Sequence, residues 1–130
     1  MGRPYNLETR DLGEVFLVKL AGRLDHESVA GLQEAMAATI ESCAERGAGM
    51  VVDMGAVDYI SSIGLRMLFS AARSVKNGGG ELVLTSLRPS VAEILSISGL
   101  DRRIPVKPDR DAAVRELSTD AATRLAASNG

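Results

Sequence analysis

The sequence has few of the residue types from which metal, redox and stacking sites are built. Its 130 residues include no tryptophan, two tyrosines, two phenylalanines, one cysteine and one histidine. The low aromatic content requires an aliphatic core and offers no platform on which single-stranded nucleic acid could stack. The lone Cys43 excludes an internal disulfide and favours a reducing cytoplasm, and His26 alone cannot make a histidine metal cluster. We predict neither a metal nor a cofactor.

The sequence also lacks an excess of charge and a long apolar run. Lys and Arg number 15 against 17 Asp and Glu, a net charge of -2, which gives no electrostatic case for nucleic acid or an anionic membrane as the main partner. No apolar run approaches the ~20 residues of a membrane span, and residues 1–4 lack the core of a signal peptide. We therefore expect one cytoplasmic domain that inserts into no membrane.

Short apolar runs alternate with segments of helical periodicity along the chain. We predict strands at 5–10, 15–20, 50–54, 81–85 and 104–106, a turn at 55–58, and helices between the later strands and from residue 109 onward. The first helix buries Val29, Leu32, Met36, Ile40 and Cys43 and ends at Gly47.

This alternation predicts a single α/β domain, with a mixed but mainly parallel sheet, βα crossovers and helices packed on the sheet. We expect the domain to span residues 1–120. The tail at 121–130, rich in Ala and Ser, is expected to fray.

Two adjacent hydroxyls, Ser61 and Ser62, mark the start of the second predicted helix. The N-terminus of a helix accommodates added negative charge through free backbone N–H groups and the macrodipole. Ser62 is therefore a candidate modification switch, whereas the alternative interpretation is plain capping of the helix by a serine oxygen. The spacing predicts one buried face, made of Leu65, Leu68, Phe69 and Ala72, and one exposed face, made of Arg66, Ser70, Arg73 and Lys76.

The loops at 24–25 and 58–62 each follow a predicted strand. Because functional loops of parallel sheets gather outside the carboxyl ends of the strands, we expect both loops to share one edge. This places His26 near Ser62, but Ile60 breaks the Gly-x-Ser-x-Gly elbow of hydrolases, so we predict no enzyme activity. The glycines at 47–49 and 78–80 do not continue into a nucleotide-binding motif and predict turns.

Three landmarks in the sequence carry a family resemblance. The segment Tyr59-Ile60-Ser61-Ser62-Ile63-Gly64-Leu65 resembles the phosphorylation-site segment of the STAS domain of bacterial anti-sigma factor antagonists. Gly22-Arg23-Leu24-Asp25 resembles the Gly-x-Leu-Asp segment of that family, and Ser98-Gly99-Leu100 resembles its later Ser-Gly-Leu. Together they cover roughly residues 15–117.

The phosphorylation-site segment departs from the Asp-Ser-Ser/Thr-Gly version of the family motif. Ser61 stands at the Asp position and Ile63 at the second hydroxyl. The version Ser-Ser-Ala-Gly-Leu fits better, and both versions place the phosphoacceptor at Ser62.

The resemblance implies a partner switch. The unmodified form would bind an anti-sigma factor with serine-kinase activity and free a sigma factor; the kinase would phosphorylate Ser62, and a serine phosphatase would reset the system. The expected partner-binding residues are Gly22, Leu24, Asp25, His26, Asp58, Ser61, Ser62, Gly64 and Arg66. Alternatives are an unphosphorylated STAS subunit that regulates a membrane transporter or lipid-trafficking complex and, thirdly, a small-ligand or nucleotide sensor.

Overall fold

One sheet organises the computed structural model, which describes residues 5–129. Within these residues five strands lie in the order β1-β2-β3-β4-β5, with β1 antiparallel to β2 and the other neighbours parallel. The strands are β1 (Tyr5–Asp11), β2 (Val15–Leu24), β3 (Gly49–Ile60), β4 (Leu82–Thr85) and β5 (Val106–Lys107). The mixed, mainly parallel sheet predicted from the alternation of elements is confirmed.

Helices connect the parallel strands and follow the last one. They are α1 (Val29–Arg46), α2 (Ser62–Asn77), α3 (Pro89–Ser98), α4 (Arg110–Leu117) and α5 (Thr119–Asn129), with a 3-10 turn at Leu100–Arg102. None of the helices in the described part of the chain combines the length and the apolar character that a membrane crossing requires. The N-terminal residues 1–4, which were considered for a signal peptide, lie outside the described residues.

Apolar side chains cover both faces of the sheet. Along β2, Phe16, Val18 and Leu20 belong to the larger cluster under α1, α2 and α3, whereas Val15 and Leu17 belong to a second cluster under α4 and α5. Alternation of this kind explains why the β2 sequence is almost continuously apolar. Cys43 is buried in the larger cluster, and burial raises the pKa of its thiol to about 11, so the prediction of a buried hydrophobe is confirmed.

The third strand is longer than predicted, and the turn expected at 55–58 is wrong. These residues continue β3, which pairs with β2 as far as Leu24 and Ile60. The register slips twice, after Lys19 and after Gly22, and each slip places one extra residue in β3. Two bulges therefore absorb the segment, and Gly55 lies at the first of them instead of in a turn.

The buried face of α2 is rotated from the predicted one. The helix buries Gly64, Met67, Leu68, Ala71 and Val75, whereas Leu65, Phe69 and Ala72 are only partly buried. Gly64 and Ala71 are small and let α2 approach its neighbours closely, which a pattern of large apolar side chains does not predict. The exposed positions, including Arg66 and Arg73, are confirmed.

The C-terminal tail differs from the expectation of fraying. Residues 119–129 form α5, in which Ala121 and Leu125 are buried against the second cluster. The Ser118 hydroxyl donates to the Glu14 carboxylate at 2.8 Å and accepts from the backbone N–H of Ala121 at 3.0 Å. The Ala and Ser content suggested fraying, but one buried leucine and this cap hold the segment as a helix.

Candidate functional site

The two loops predicted to share the carboxyl edge of the sheet are joined through one carbonyl oxygen. The backbone N–H of Ser61 donates to the Leu24 carbonyl at 2.9 Å, and the Ser61 hydroxyl donates to the same oxygen at 3.1 Å. The shared edge is therefore confirmed. Asp58 was expected in the loop, but it is an exposed residue of β3 because the strand runs on to Ile60.

The two serines at the start of α2 have different environments. Ser61 is the N-cap residue, is partly buried, and makes no side-chain cap hydrogen bond because its hydroxyl is directed to Leu24. Ser62 is the first helical residue and is exposed. Plain capping by Ser61 is therefore wrong, and Ser62 presents its hydroxyl at the positive end of a 16-residue helix.

Gly64 brings the first turn of α2 against the ends of β2 and β3. A Cβ atom at this position would lie 2.7 Å from the Leu24 carbonyl oxygen, 2.9 Å from the Leu24 Cβ and 3.0 Å from the Ile60 Cγ1. Gly64 and Leu24 are both buried, so these two predicted partner-binding residues support the surface from below.

Asp25 shapes the loop between β2 and α1. Its Oδ1 accepts from the N–H groups of Glu27 at 3.1 Å and Ser28 at 3.3 Å, and its Oδ2 accepts from Arg23 Nε at 3.3 Å. Desolvation acts to raise the pKa of the Asp25 carboxyl, but the hydrogen bonds from Arg23 and from these backbone groups outweigh it and lower the pKa. The buried Ser28 hydroxyl donates to the Arg23 carbonyl and closes the loop.

Asp25→Asn should unfold at a lower urea concentration than the parent at pH 7. The Asp25 carboxyl has a lower pKa in the folded state than in the unfolded state, so it stabilises the fold at pH values above its unfolded-state pKa. This contribution is lost as the pH falls through the folded-state pKa. The gap between the urea midpoints should therefore close below about pH 4. The matched control is Asp58→Asn on exposed β3; equal midpoints for Asp25→Asn and the parent at pH 7 would contradict the assignment.

Exposed side chains at this edge of the sheet complete the site. Ile63 is 41% exposed and Tyr59 is 39% exposed, and the Arg23 guanidinium lies 4.3 Å from the centroid of the Tyr59 ring. The sequence prediction missed all three residues as surface elements. Arg23 and Tyr59 meet only through the bulged register of β2 and β3, whereas Ile63 could have been recognised as an apolar residue at an exposed helix start.

The remaining predicted residues lie around this edge. His26 is exposed in the β2–α1 loop, and Arg66 is exposed on α2 one turn after Ser62. Gly22 is partly buried at the second register slip and has φ of +97°, a conformation that favours glycine. The edge thus combines an accessible hydroxyl, exposed apolar groups and cations, and suits protein binding.

Comparison with known proteins identifies similar sequences. The STAS domain family model matches residues 6–113. BtrV of Bordetella bronchiseptica, a candidate anti-sigma factor antagonist, is 36% identical over 100 residues, which are 77% of this chain and 84% of that protein. The anti-sigma-B factor antagonist of Bacillus subtilis is 26% identical over 110 residues, which are 85% of this chain and 97% of that protein.

The fold is also similar to that of solved structures. An anti-sigma factor antagonist from Mycobacterium paratuberculosis superposes with a TM-score of 0.78 at 21% identity. The match covers 90% of this chain and 97% of that one, so the two proteins share their fold.

Proposed function

This chain belongs to the STAS domain family of anti-sigma factor antagonists, and we propose that phosphorylation of Ser62 switches its binding partner. The unmodified form binds an anti-sigma factor that has serine-kinase activity and thereby frees a sigma factor for transcription. Phosphorylation separates the complex, and a serine phosphatase restores the binding form. The chain acts in the cytoplasm as a binding protein without catalysis of its own.

The exposure of Ser62, next to a Ser61 whose hydroxyl is already engaged, carries this proposal. A kinase must reach the acceptor oxygen, and the Ser61 oxygen donates to Leu24 in a partly buried position. Ser62 has no such constraint at the exposed first residue of α2. The structure therefore supports Ser62 as the acceptor of the pair.

The isolated domain is suited to hold a phosphate at this position. Phosphoserine adds about -1.5 to -2 charge and three strong acceptor oxygens, which free N–H groups at a helix N-terminus can bind. The first turn of α2 carries no acidic residue, and Arg66 follows Ser62 by four positions, the spacing of neighbours on a helix surface. Phosphorylation should therefore leave the fold intact.

The bound assembly is not suited to hold the same phosphate. Ile63, the residue after Ser62, is exposed, as is Tyr59 near the end of β3, and both give this edge an apolar component that a partner would cover. A dianion enclosed there loses its water, and a desolvated charge without a partner costs several kcal/mol. The phosphate is thus tolerated in the free domain and costly in the complex, and this difference in free energy makes phosphorylation a switch.

A phosphotransfer assay with ATP and the purified anti-sigma factor kinases of the source organism tests the acceptor. The parent and Ser61→Ala should gain one phosphate, and Ser62→Ala should gain none, as read by intact mass and fragmentation. Labelling of Ser62→Ala to the level of the parent would refute the assignment. Recovery of a transport ATPase with the chain, without any kinase, would instead favour a regulatory subunit of a transporter.

A further inference from the structure

A groove between α2 and the end of α3 begins one turn beyond Ser62. It has a volume of about 310 Å³, and its lining residues are Leu65, Arg66, Phe69, Ser98, Leu100 and Arg103. We call it the α2–α3 groove. Leu65 and Phe69 are only partly buried, so the groove has an apolar floor that remains accessible from outside.

Guanidinium groups surround this floor. Arg73 and Arg103 lie 5.9 Å and 5.6 Å from the centroid of the Phe69 ring, and Arg66 lines the end of the groove nearer to Ser62. None of the six lining residues is acidic. The acidic Asp101 lines a neighbouring cleft, which it shares with Lys76 and Arg102.

The positive charge of the groove is local. The whole chain carries a net charge of -2, yet α2 contains three cationic residues and no acidic one. All of these cations are exposed, as is Arg103. A partner that covers the groove must therefore supply carboxylates for the guanidinium groups as well as apolar side chains for the floor.

We propose that the α2–α3 groove receives an acidic amphipathic segment of the anti-sigma factor, an inference that rests on the proposed function. Apolar side chains of the segment pack on Phe69, and its carboxylates pair with Arg73 and Arg103, because a planar guanidinium fork matches a carboxylate. A groove between helices is a usual seat for an amphipathic segment with regularly spaced anchors. The contact extends the partner interface from the Ser62 edge along α2.

Arg66 links the groove to the switch. It lies within one helical turn of Ser62 and also lines the groove. A carboxylate of the segment at this end of the groove pairs with Arg66, and a phosphate on Ser62 competes with it for the guanidinium. Phosphorylation therefore weakens the groove contact in addition to placing a charge at the helix start.

Charge reversal of the groove tests the inference. The double variant Arg73→Glu/Arg103→Glu should bind the purified, unphosphorylated anti-sigma factor kinase at least about tenfold more weakly than the parent and lose most of the salt dependence of binding. The control is Arg115→Glu/Arg124→Glu, which makes the same change of net charge at exposed positions of α4 and α5. Its affinity should stay within about twofold of the parent, the small effect of charges outside the interface.

The outcomes separate the two proposals. If the groove variant binds as tightly as the parent while phosphorylation of Ser62 still dissociates the complex, the groove inference is wrong and the switch stands. If neither change alters the affinity, the switch is wrong as well. Thermal unfolding should show that both double variants remain folded, because all four substituted side chains are exposed and lose only surface contacts with Phe69 and Gly13.

Discussion

Complete phosphorylation of Ser62 is expected to lower the affinity for the anti-sigma factor by about 10⁴-fold. Changing the bound fraction of the anti-sigma factor from nearly full to nearly empty requires ~5.5 kcal/mol of difference in binding free energy between the unmodified and phosphorylated forms. A dianion that is solvated in the free domain and enclosed beside Ile63 in the complex can supply a penalty of this size. Ser62 is the first residue of α2, where free N–H groups of the helix can bind a phosphate, so we expect the loss in binding and not in stability.

Calorimetric titration of the anti-sigma factor with the phosphorylated and unmodified forms measures this effect. Ser62→Ala should bind as the parent does, since the alanine adds no charge. Ser62→Asp should fall between the two forms because a carboxylate carries less charge and fewer acceptor oxygens than a phosphate. Equal affinities of the phosphorylated and unmodified forms would rule out the switch.

Gly64→Ala is expected to destabilise the domain, although the same change inside an exposed helix would stabilise it. Helical propensity favours alanine over glycine by about 1 kcal/mol. The added Cβ, however, would lie 2.7 Å from the Leu24 carbonyl oxygen, a backbone atom that cannot move alone. Overpacking of this kind costs about 1–3 kcal/mol, and Gly64→Val should cost more because its branches add to the same contact.

Thermal and urea unfolding give the sign of the Gly64 effect. Gly55→Ala is the matched control, because Gly55 is exposed and the nearest atom to its added Cβ would be the Asp53 Oδ1 of a side chain, at 3.2 Å. The control should unfold close to the parent. A Gly64→Ala protein more stable than the parent would show that propensity outweighs the contact with β2.

Much of the fold could be predicted because local patterns dictate it. The apolar run of β2, the left-handed glycines after α1 and α3, and the proline at the start of α3 are signals within a few residues. The bulged part of β3 could not be predicted from such local signals. Gly55 favours both a turn and a bulge, and only pairing with β2, more than 30 residues earlier, selects the bulge.

The candidate site was predictable at the level of its loops but not of its atoms. Two strands of known direction place Leu24 and Ser61 at one edge, which the sequence predicted. The family motif already selected Ser62, but the two hydrogen bonds that Ser61 makes to the Leu24 carbonyl oxygen were not predictable. The groove depends on how Leu100 and Arg103 pack against α2. These are long-range contacts, and the periodicity of α2 alone misplaced Leu65 and Phe69 in the core.

The anchoring of α2 through Leu24 and Gly64 also bears on the kinase and the phosphatase that we propose to act on Ser62. The hydroxyl is part of a fixed helix end, whereas most modified serines lie in flexible peptide that an active site can draw into an extended shape. Here the kinase and the phosphatase must recognise a folded surface and bring their own active-site clefts to it. We therefore expect the shape of the whole domain to set substrate choice by both proposed enzymes, and an excised peptide with the same residues around Ser62 to be a poor substitute.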